Sequence, residues 1–248
     1  MKKILIAILL IIISLGVKAQ KTKLNHTDET FIGVKGGINL AWMRFTDKNL
    51  SSLQQNPSLR LLGGLFLDIP LTHHLGIAPE VAYVQRGMST DYTKYYGLDE
   101  HYEIKSNYMD LRLPLLYRFD IGKEWLRPYL VAGIDVGYLL GGEITLGETT
   151  IEIGQANMSN LYLGAFAGAG CSVYTKIGGR NMQFRLDAVY NHGFMDSFSQ
   201  METDEQSTPS NINAYNHSGK RFPKGVEISL GISISLKRAP KDACMGFK

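Results

Sequence analysis

Residues 226–236 read VEISLGISISL, and this stretch decides the fold because its apolar and polar residues alternate without a break. Val226, Ile228 and the apolar residues at every second position after them fall on one side, and Glu227, a glycine and three serines fall on the other. Successive side chains of a β-strand point to opposite faces of the sheet. The alternation therefore predicts a strand with one apolar and one polar face.

Seven further segments show the same period of two. In residues 108–120, for example, Met109 and Leu111 alternate with Asp110 and Arg112. Segments 129–140, 161–174 and 181–191 are similar, and the three segments nearest the N-terminus are less regular. Together the pattern predicts eight strands, at residues 31–41, 59–69, 75–86, 108–120, 129–140, 161–174, 181–191 and 226–236.

The connections between these strands alternate strictly between long and short. The long ones are residues 43–58, 87–107, 141–160 and 195–224, and the short ones are 70–74, 121–128 and 176–180. Outer-membrane barrels have long extracellular loops and short periplasmic turns. We therefore predict an all-β fold, an eight-stranded antiparallel up-and-down transmembrane β-barrel. Eight strands leave room only for side chains, so we expect a filled interior and no wide pore.

Alternation alone does not say which face is inside, because a soluble lipocalin-like barrel also has eight antiparallel strands. Here the polar face carries nearly balanced charges and more arginine than lysine, which suits Arg–carboxylate pairing in an enclosed space. We expect the apolar face to contact lipid. Arg60, Asp68 and Asp120 also lie on the polar face, and the predicted interior charge network consists of Lys35, Glu80, Arg86, Asp110, Arg112, Arg118, Asp135, Arg185, Asp187 and Glu227.

Aromatic residues lie near the ends of the apolar runs, as the interfacial girdles of membrane barrels do. They are Trp42, Tyr83, Tyr117, Phe119, Trp125, Tyr138, Tyr190 and Phe194.

The N-terminus has the three-part layout of a secretory signal peptide: Lys2 and Lys3, an apolar run, and a small-residue ending at Ala19. We predict cleavage after Ala19, which divides the chain into a signal peptide (1–19), a periplasmic segment (20–30), the barrel (31–236) and a periplasmic tail (237–248). The full chain has 26 Lys and Arg against 23 Asp and Glu. Cleavage removes three lysines and no acid, which leaves 23 of each sign, so the charge gives no support for nucleic-acid binding.

The residues that could carry chemistry are few. His73 and His74 are adjacent in a short connection, where a solvated turn is expected more often than a metal site. His192 lies at the end of a strand near Asp196 and Ser197, without a specific motif. We assign no catalytic residue, cofactor or metal and expect no enzyme activity. Cys171 should face lipid and Cys244 should lie in the tail, so we do not expect them to pair.

Four stretches carry a resemblance to a known family: FIGVKGGINLAW (31–42), IAPEVAYVQRG (77–87), YMDLRLPLLYR (108–118) and RPYLVAGIDVGYLL (127–140). They resemble the PorT-type outer-membrane β-barrel family of Bacteroidetes over most of residues 31–236. The resemblance implies an eight-stranded outer-membrane barrel, and the type member is associated with gliding or protein secretion. The matching motifs are structural glycines, prolines and strand patterns. One departure from proteobacterial barrels is that the last strand ends at Leu236 before a tail, where those barrels close on a terminal aromatic residue.

The sequence therefore predicts an outer-membrane protein that acts as a structural anchor or interaction module through its four long loops. The alternative is a component of a secretion or gliding machine. A lipid-modifying enzyme centred on His192 and a soluble exported binding barrel are further alternatives. The expected partners are outer-membrane lipid and, in the alternative, other envelope or secretion proteins; the sequence leaves the oligomeric state open.

Overall fold

The computed structural model describes residues 29–45, 56–91, 101–122, 125–152, 159–177, 180–197 and 220–236. The predicted signal peptide, the tail from residue 237 and Cys244 lie outside these ranges. No helix within them is long and apolar enough to cross a membrane. The described residues form ten strands: β1 (Phe31–Phe45), β2 (Ser58–Pro70), β3 (Leu75–Ile77), β4 (Glu80–Asp91), β5 (His101–Arg118), β6 (Leu126–Leu146), β7 (Thr149–Glu152), β8 (Leu161–Ile177), β9 (Arg180–Gly193) and β10 (Arg221–Ser235).

The strands close into a ring. Each strand pairs with its neighbour in the order β1, β2, β4, β5, β6, β8, β9, β10, and β10 pairs back with β1 along all 15 residues of that strand. All of these pairings are antiparallel. The short strand β3 continues the line of β4, and β7 extends β6 beyond the ring. The predicted eight-stranded up-and-down barrel is confirmed.

Several strands are longer than the alternation predicts. β5 begins at His101, seven residues before the predicted start, and pairs with β4 up to Asp91. β6 has 21 residues and runs to Leu146, where it turns back into β7. The long connections predicted at 87–107 and 141–160 therefore contain extensions of the strands. These polar residues satisfy their backbone groups by continuing the ladders beyond the apolar band.

The prediction of one continuous strand over residues 75–86 is wrong at Ala78 and Pro79, which separate β3 from β4. Pro79 has no backbone N–H to donate to a ladder. Its carbonyl still accepts a bond from Leu67 N at 3.0 Å, and Ala78 N donates to Pro114 O at 2.9 Å. The wall therefore stays closed here through irregular bonds.

A second irregularity lies between β2 and β4, whose regular pairing covers only five residues on each strand, from Leu62↔Val84 to Phe66↔Glu80. Beyond Val84 the side-chain oxygen of Gln85 accepts the bond from Leu61 N, at 3.2 Å. The two chain segments meet again only at an isolated bridge between Asn56 and Ser89.

The apolar face of the barrel points outward. Leu230 is 67% exposed and Leu59 63%, whereas Glu227 and Ser229 on the opposite side of the sheet are 1% and 3% exposed. This confirms the predicted orientation of the faces and contradicts the soluble-barrel alternative, in which the apolar face would line the interior. Cys171 is half-buried, and the alternation of β8 places it on the outward side.

Aromatic side chains lie near both ends of this apolar band. At the end that carries the long loops, the rings of Trp42 and Tyr190 are 6.2 Å apart, and Tyr138 and Phe194 are exposed. At the end that carries the short turns, the rings of Tyr117 and Phe119 are 5.1 Å apart and Trp125 is exposed. We refer to these as the long-loop end and the short-turn end.

Candidate functional site: the charged barrel interior

The charged residues of the polar face lie inside the barrel, where they are distributed along most of its length. Each of the ten residues assigned to the interior network has a buried side chain: Lys35, Glu80, Arg86, Asp110, Arg112, Arg118, Asp135, Arg185, Asp187 and Glu227. Removing an unpaired charge from water is costly, so such residues must find partners within the protein.

Arg86 is the centre of the group nearest the long-loop end. Its guanidinium binds Asp110 through two parallel hydrogen bonds of 3.1 and 2.6 Å, and it contacts Asp135 at 3.2 Å. The guanidinium carbon also lies 3.7 Å from the centre of the Tyr162 ring and 5.1 Å from that of Tyr108. Two carboxylates and two aromatic faces therefore enclose one cation, an arrangement that suits arginine better than lysine.

Arg112 forms the middle of the network. It binds Glu227 at 2.8 Å and lies 4.0 Å from Asp135, which joins it to the Arg86 group. Because Arg112 is on β5 and Glu227 on β10, this pair crosses the interior between strands that are not neighbours in the ring. Lys35 of β1 forms an ion pair with Glu80 of β4 in the same way.

Towards the short-turn end, two more pairs fill the interior. Arg118 of β5 pairs with Asp68 of β2, and Asp68 also accepts a bond from Gln183 at 2.9 Å. Arg185 and Asp187 lie two positions apart on the same face of β9, 3.3 Å from each other. The hydroxyl of Tyr129 donates to Asp187, and the guanidinium of Arg185 lies 4.8 Å from the centre of the Phe66 ring.

Large aromatic rings share the interior with these charges, and the sequence reasoning assigned them no role there. Tyr108, Tyr129 and Tyr162 are at most 2% exposed. Glycines on neighbouring strands make room for them: a β-carbon on Gly170 would lie 2.5 Å from the ring of Tyr129. The alternation could have predicted these interior rings, because Tyr162 and Phe166 occupy the same polar face of the strand as glycines 164, 168 and 170.

His192 lies at the long-loop end of β9, half-buried among aromatic residues. Its ring is 6.3 Å from that of Tyr190 and 5.4 Å from that of Phe194. Asp196 instead accepts a hydrogen bond from the backbone N–H of Arg221, and the backbone of Ser197 pairs with Arg221 and Ser159. His192 therefore belongs to an aromatic rim, and Asp196 and Ser197 bind the backbone at the start of β10.

The interior is thus occupied by side chains that bind one another across the barrel. The pairs join β5 to β10, β1 to β4 and β2 to β5, so they connect parts of the wall that the backbone ladder does not join directly. Chemically, the arrangement can hold the wall in one shape and block passage along the axis.

Comparison with known proteins gives one family and several similar folds. The family described as outer membrane protein beta-barrel domain matches residues 18–199. Neisserial surface protein A is 14% identical, with a TM-score of 0.42, over 83% of this chain and 96% of that one. Ail, the attachment invasion locus protein of Yersinia pestis, is 12% identical, with a TM-score of 0.39, over 84% and 99% of the two chains. OprG from Pseudomonas aeruginosa is 12% identical, with a TM-score of 0.39, over 87% and 99%. No curated protein sequence matches this chain.

Proposed function

Because this chain belongs to the outer membrane protein beta-barrel domain family and lies in the outer membrane, we propose that it is a closed anchor that presents four long loops at the cell surface. The proposed surface regions are the long connections at residues 43–58, 87–107, 141–160 and 195–224, including the strand ends that extend into them. In this function the barrel contributes rigidity and the loops contribute specificity. No catalysis and no transport along the barrel axis are part of the proposal.

The observation that carries the proposal is the pair of Arg112 and Glu227 at 2.8 Å, which crosses the barrel and is connected through Asp135 to Arg86. The side chains of these four residues are at most 4% exposed. An eight-stranded barrel is only wide enough for its own side chains. An ion moving along the axis would have to displace these paired charges.

In a barrel without a channel, the buried charges have a structural role. Removing one partner of a buried pair leaves an uncompensated charge and costs about 3–5 kcal/mol. Three of the pairs, Arg112–Glu227, Lys35–Glu80 and Arg118–Asp68, join strands that are not neighbours in the ring, so we propose that the network fixes one barrel shape. A rigid wall in turn holds the loop ends at fixed positions.

Conductance measurements test the closed barrel. Purified protein in planar lipid bilayers should show no steady ion current, whereas the double variant Arg112→Ala with Glu227→Ala should gain current because its interior is emptied at mid-height. The matched control is Lys105→Ala with Glu143→Ala, which removes an ion pair of 3.0 Å whose side chains are 35% and 44% exposed. Steady current through the unaltered protein would contradict the proposal.

Labelling of intact cells tests the presentation of the loops. A peptide epitope inserted at residue 210, in the longest proposed loop, should be accessible to antibody on whole cells. The same epitope inserted between residues 177 and 180, in a short turn, should become accessible only after the outer membrane is opened. The reverse pattern would show that the barrel is inserted in the opposite direction.

The narrower PorT-type identity and a role in secretion or gliding stay predictions of the sequence. Cross-linking through the long loops and the short turns, followed by identification of the captured proteins, tests that role. The lipid-modifying alternative is tested by His192→Gln, which should leave the lipid A profile unchanged because His192 contacts aromatic rings.

A further inference from the structure

Three potential metal ligands meet at the short-turn end of the barrel. His73 and His74 lie in the turn between β2 and β3, and Asp120 follows the end of β5. One ring nitrogen of each histidine and one carboxylate oxygen all lie within 4.8 Å of one another. We call these three residues the short-turn cluster.

The contacts within the cluster bring imidazole and carboxylate together directly. His73 Nε2 is hydrogen-bonded to Asp120 Oδ2, and His74 Nδ1 lies 3.9 Å from the same oxygen. The two imidazole rings are nearly perpendicular, with centroids 4.8 Å apart. The histidine side chains are 40% and 43% exposed and that of Asp120 is 13% exposed, so an ion can reach the cluster from solvent.

The backbone and a neighbouring arginine hold the cluster in place. Arg118 N donates to His74 O at 2.7 Å, which ties the histidine turn to the end of β5. Arg127 donates to Asp120 Oδ1 at 2.9 Å and to the backbone oxygen of His73 at 2.7 Å. Because Arg127 occupies Oδ1, the other carboxylate oxygen remains directed at the histidines. Such outer partners commonly orient the ligands of metal sites.

We propose that the short-turn cluster is a binding site for a divalent transition-metal ion of the zinc type. Two imidazoles and one carboxylate form a ligand set that zinc uses, with a fourth position left for water. Imidazole also suits copper and nickel, whereas magnesium and calcium prefer oxygen ligands alone. The short-turn cluster therefore favours zinc, copper or nickel over magnesium and calcium.

Binding requires only local movement. Tetrahedral bonds of about 2.0–2.1 Å place ligand atoms roughly 3.4 Å apart, so the ion enters between His73 and Asp120 and draws the second histidine inward. His74 Nδ1 lies 3.1 Å from the backbone oxygen of Arg118, and the imidazole either releases this contact or ligates through Nε2. Side chains of this exposure rotate readily, and the strands need not move.

The bound ion would add a side-chain link between two turns that Arg118 and Arg127 already hold together. Asp120 is 47 residues from His73 in the sequence, on the connection that leads from β5 to β6. An adjacent histidine pair in a turn is unremarkable by itself. The fold brings Asp120 to the two histidines as a third ligand, and the three side chains together can chelate an ion.

Metal titration of the full barrel, refolded in detergent without a histidine tag, tests the site. Calorimetry should show a single Zn²⁺ bound, and electron paramagnetic resonance of bound Cu²⁺ should show coupling to nitrogen. His73→Gln and Asp120→Asn should each weaken binding by at least about 100-fold, because even the loss of an outer partner costs about 10–100-fold. The matched control is His192→Gln, which removes a histidine at the opposite end and should leave binding unchanged.

Heat-dependent migration on gels checks that every variant is a folded barrel. We expect all of them to fold, because the three ligands lie outside the strands. The proposal is overturned if the unaltered protein binds neither Zn²⁺ nor Cu²⁺. It is equally overturned if the His73→Gln and Asp120→Asn variants, once folded, bind as tightly as the unaltered protein, or if His192→Gln abolishes binding.

Discussion

The β1–β10 seam and the β2–β4 seam belong to the same closed sheet, but only the first is a continuous ladder. The N-terminal and C-terminal strands pair at every position from Phe31↔Ser235 to Phe45↔Arg221. Between β2 and β4, regular pairing covers five positions, with Pro79 at one end and Gln85 at the other. The barrel is therefore more regular at the β1–β10 seam than at the β2–β4 seam.

Ion pairs also cross the β2–β4 seam, where the backbone ladder is interrupted. Three ion pairs bridge the β2–β4 seam: Lys35 to Glu80, Arg118 to Asp68, and Arg60 to Glu103 at 2.7 Å. Arg60 also donates to the backbone oxygen of Ile104 at 3.0 Å, so it reaches past β4 to β5. On the outward side, the same region has an apolar depression of 540 Å³ that includes Leu67 and Pro79. The comparison teaches that side chains close this part of the wall and backbone closes the other.

The largest effect is expected from breaking the regular seam with Gly37→Val. A β-carbon at Gly37 would lie 2.1 Å from Ile228 O and 2.7 Å from the α-carbon of Ser229 on the facing strand, and backbone cannot yield as a side chain can. We expect the ring not to close, seen as loss of heat-dependent migration on gels. The control is Gly36→Val, whose nearest atom is 4.0 Å away on the outward face. Normal folding of both variants would show that this seam tolerates disruption.

The second-largest effect is expected at the Arg118–Asp68 ion pair, which crosses the β2–β4 seam. Asp68→Asn leaves Arg118 buried without its carboxylate and should lower the free energy of unfolding by about 3–5 kcal/mol. Adding Arg118→Gln should restore part of that loss, because no uncompensated charge remains. Denaturant unfolding in detergent measures both values. Strictly additive losses would mean that the two residues do not act as a pair.

The third effect concerns Gly87, which lies in β4 beyond the end of its regular pairing with β2 at Val84. Gly87 has a φ of 143°, and a β-carbon there would lie 1.9 Å from Ile104 O. Gly87→Ala should cost more than the roughly 1–3 kcal/mol of backbone strain alone. Gly141→Ala isolates that strain, because Gly141 has a φ of 148° and no neighbour within 4 Å. Equal changes in unfolding midpoint would indicate that the Ile104 contact contributes nothing.

The smallest effect is expected from Gln85→Leu. The variant removes the acceptor of the Leu61 N–H, a bond worth about 0.5–1.5 kcal/mol. It also removes the bonds that Gln85 Nε2 donates to the Tyr83 hydroxyl and to Asn107 Oδ1, each at 3.1 Å on the outward side of the wall. Amide hydrogen exchange should accelerate at Leu61 and remain slow in the β1–β10 ladder, which serves as the internal control. Unchanged exchange at Leu61 would mean that the Gln85 side chain does not replace a ladder bond.

The sequence predicted the eight strands of the ring and the direction of their faces because alternation is a local signal. Each strand can be recognised from its own residues, as 226–236 shows, and the polar face could be assigned from its arginines and acids. The partners of the individual charges were harder to predict from the sequence. Arg185 and Asp187 share one strand, but Arg112 and Glu227 are brought together only by the closed ring.

The irregular features could not be predicted because they depend on residues far apart in the chain. Pro79 indicates an interruption, yet nothing in the local sequence shows that Gln85 substitutes for a backbone acceptor. The short-turn cluster was missed for the same reason. The histidine pair was visible, but its third member lies beyond β3, β4 and β5 in the sequence.

The length of β6 determines how far the barrel wall projects beyond the lipid bilayer. A tilted strand crosses the hydrocarbon with about 9–11 residues, and β6 has 21. Residues 141–146 of β6 follow the apolar segment 129–140, and at about 3.3 Å per residue these six residues extend the strand by roughly 20 Å along its direction, with β7 paired to the last four of them. In the proposed orientation this ribbon projects outward from the lipid surface, so a molecule that approaches the cell would meet ordered backbone before it reaches the head groups.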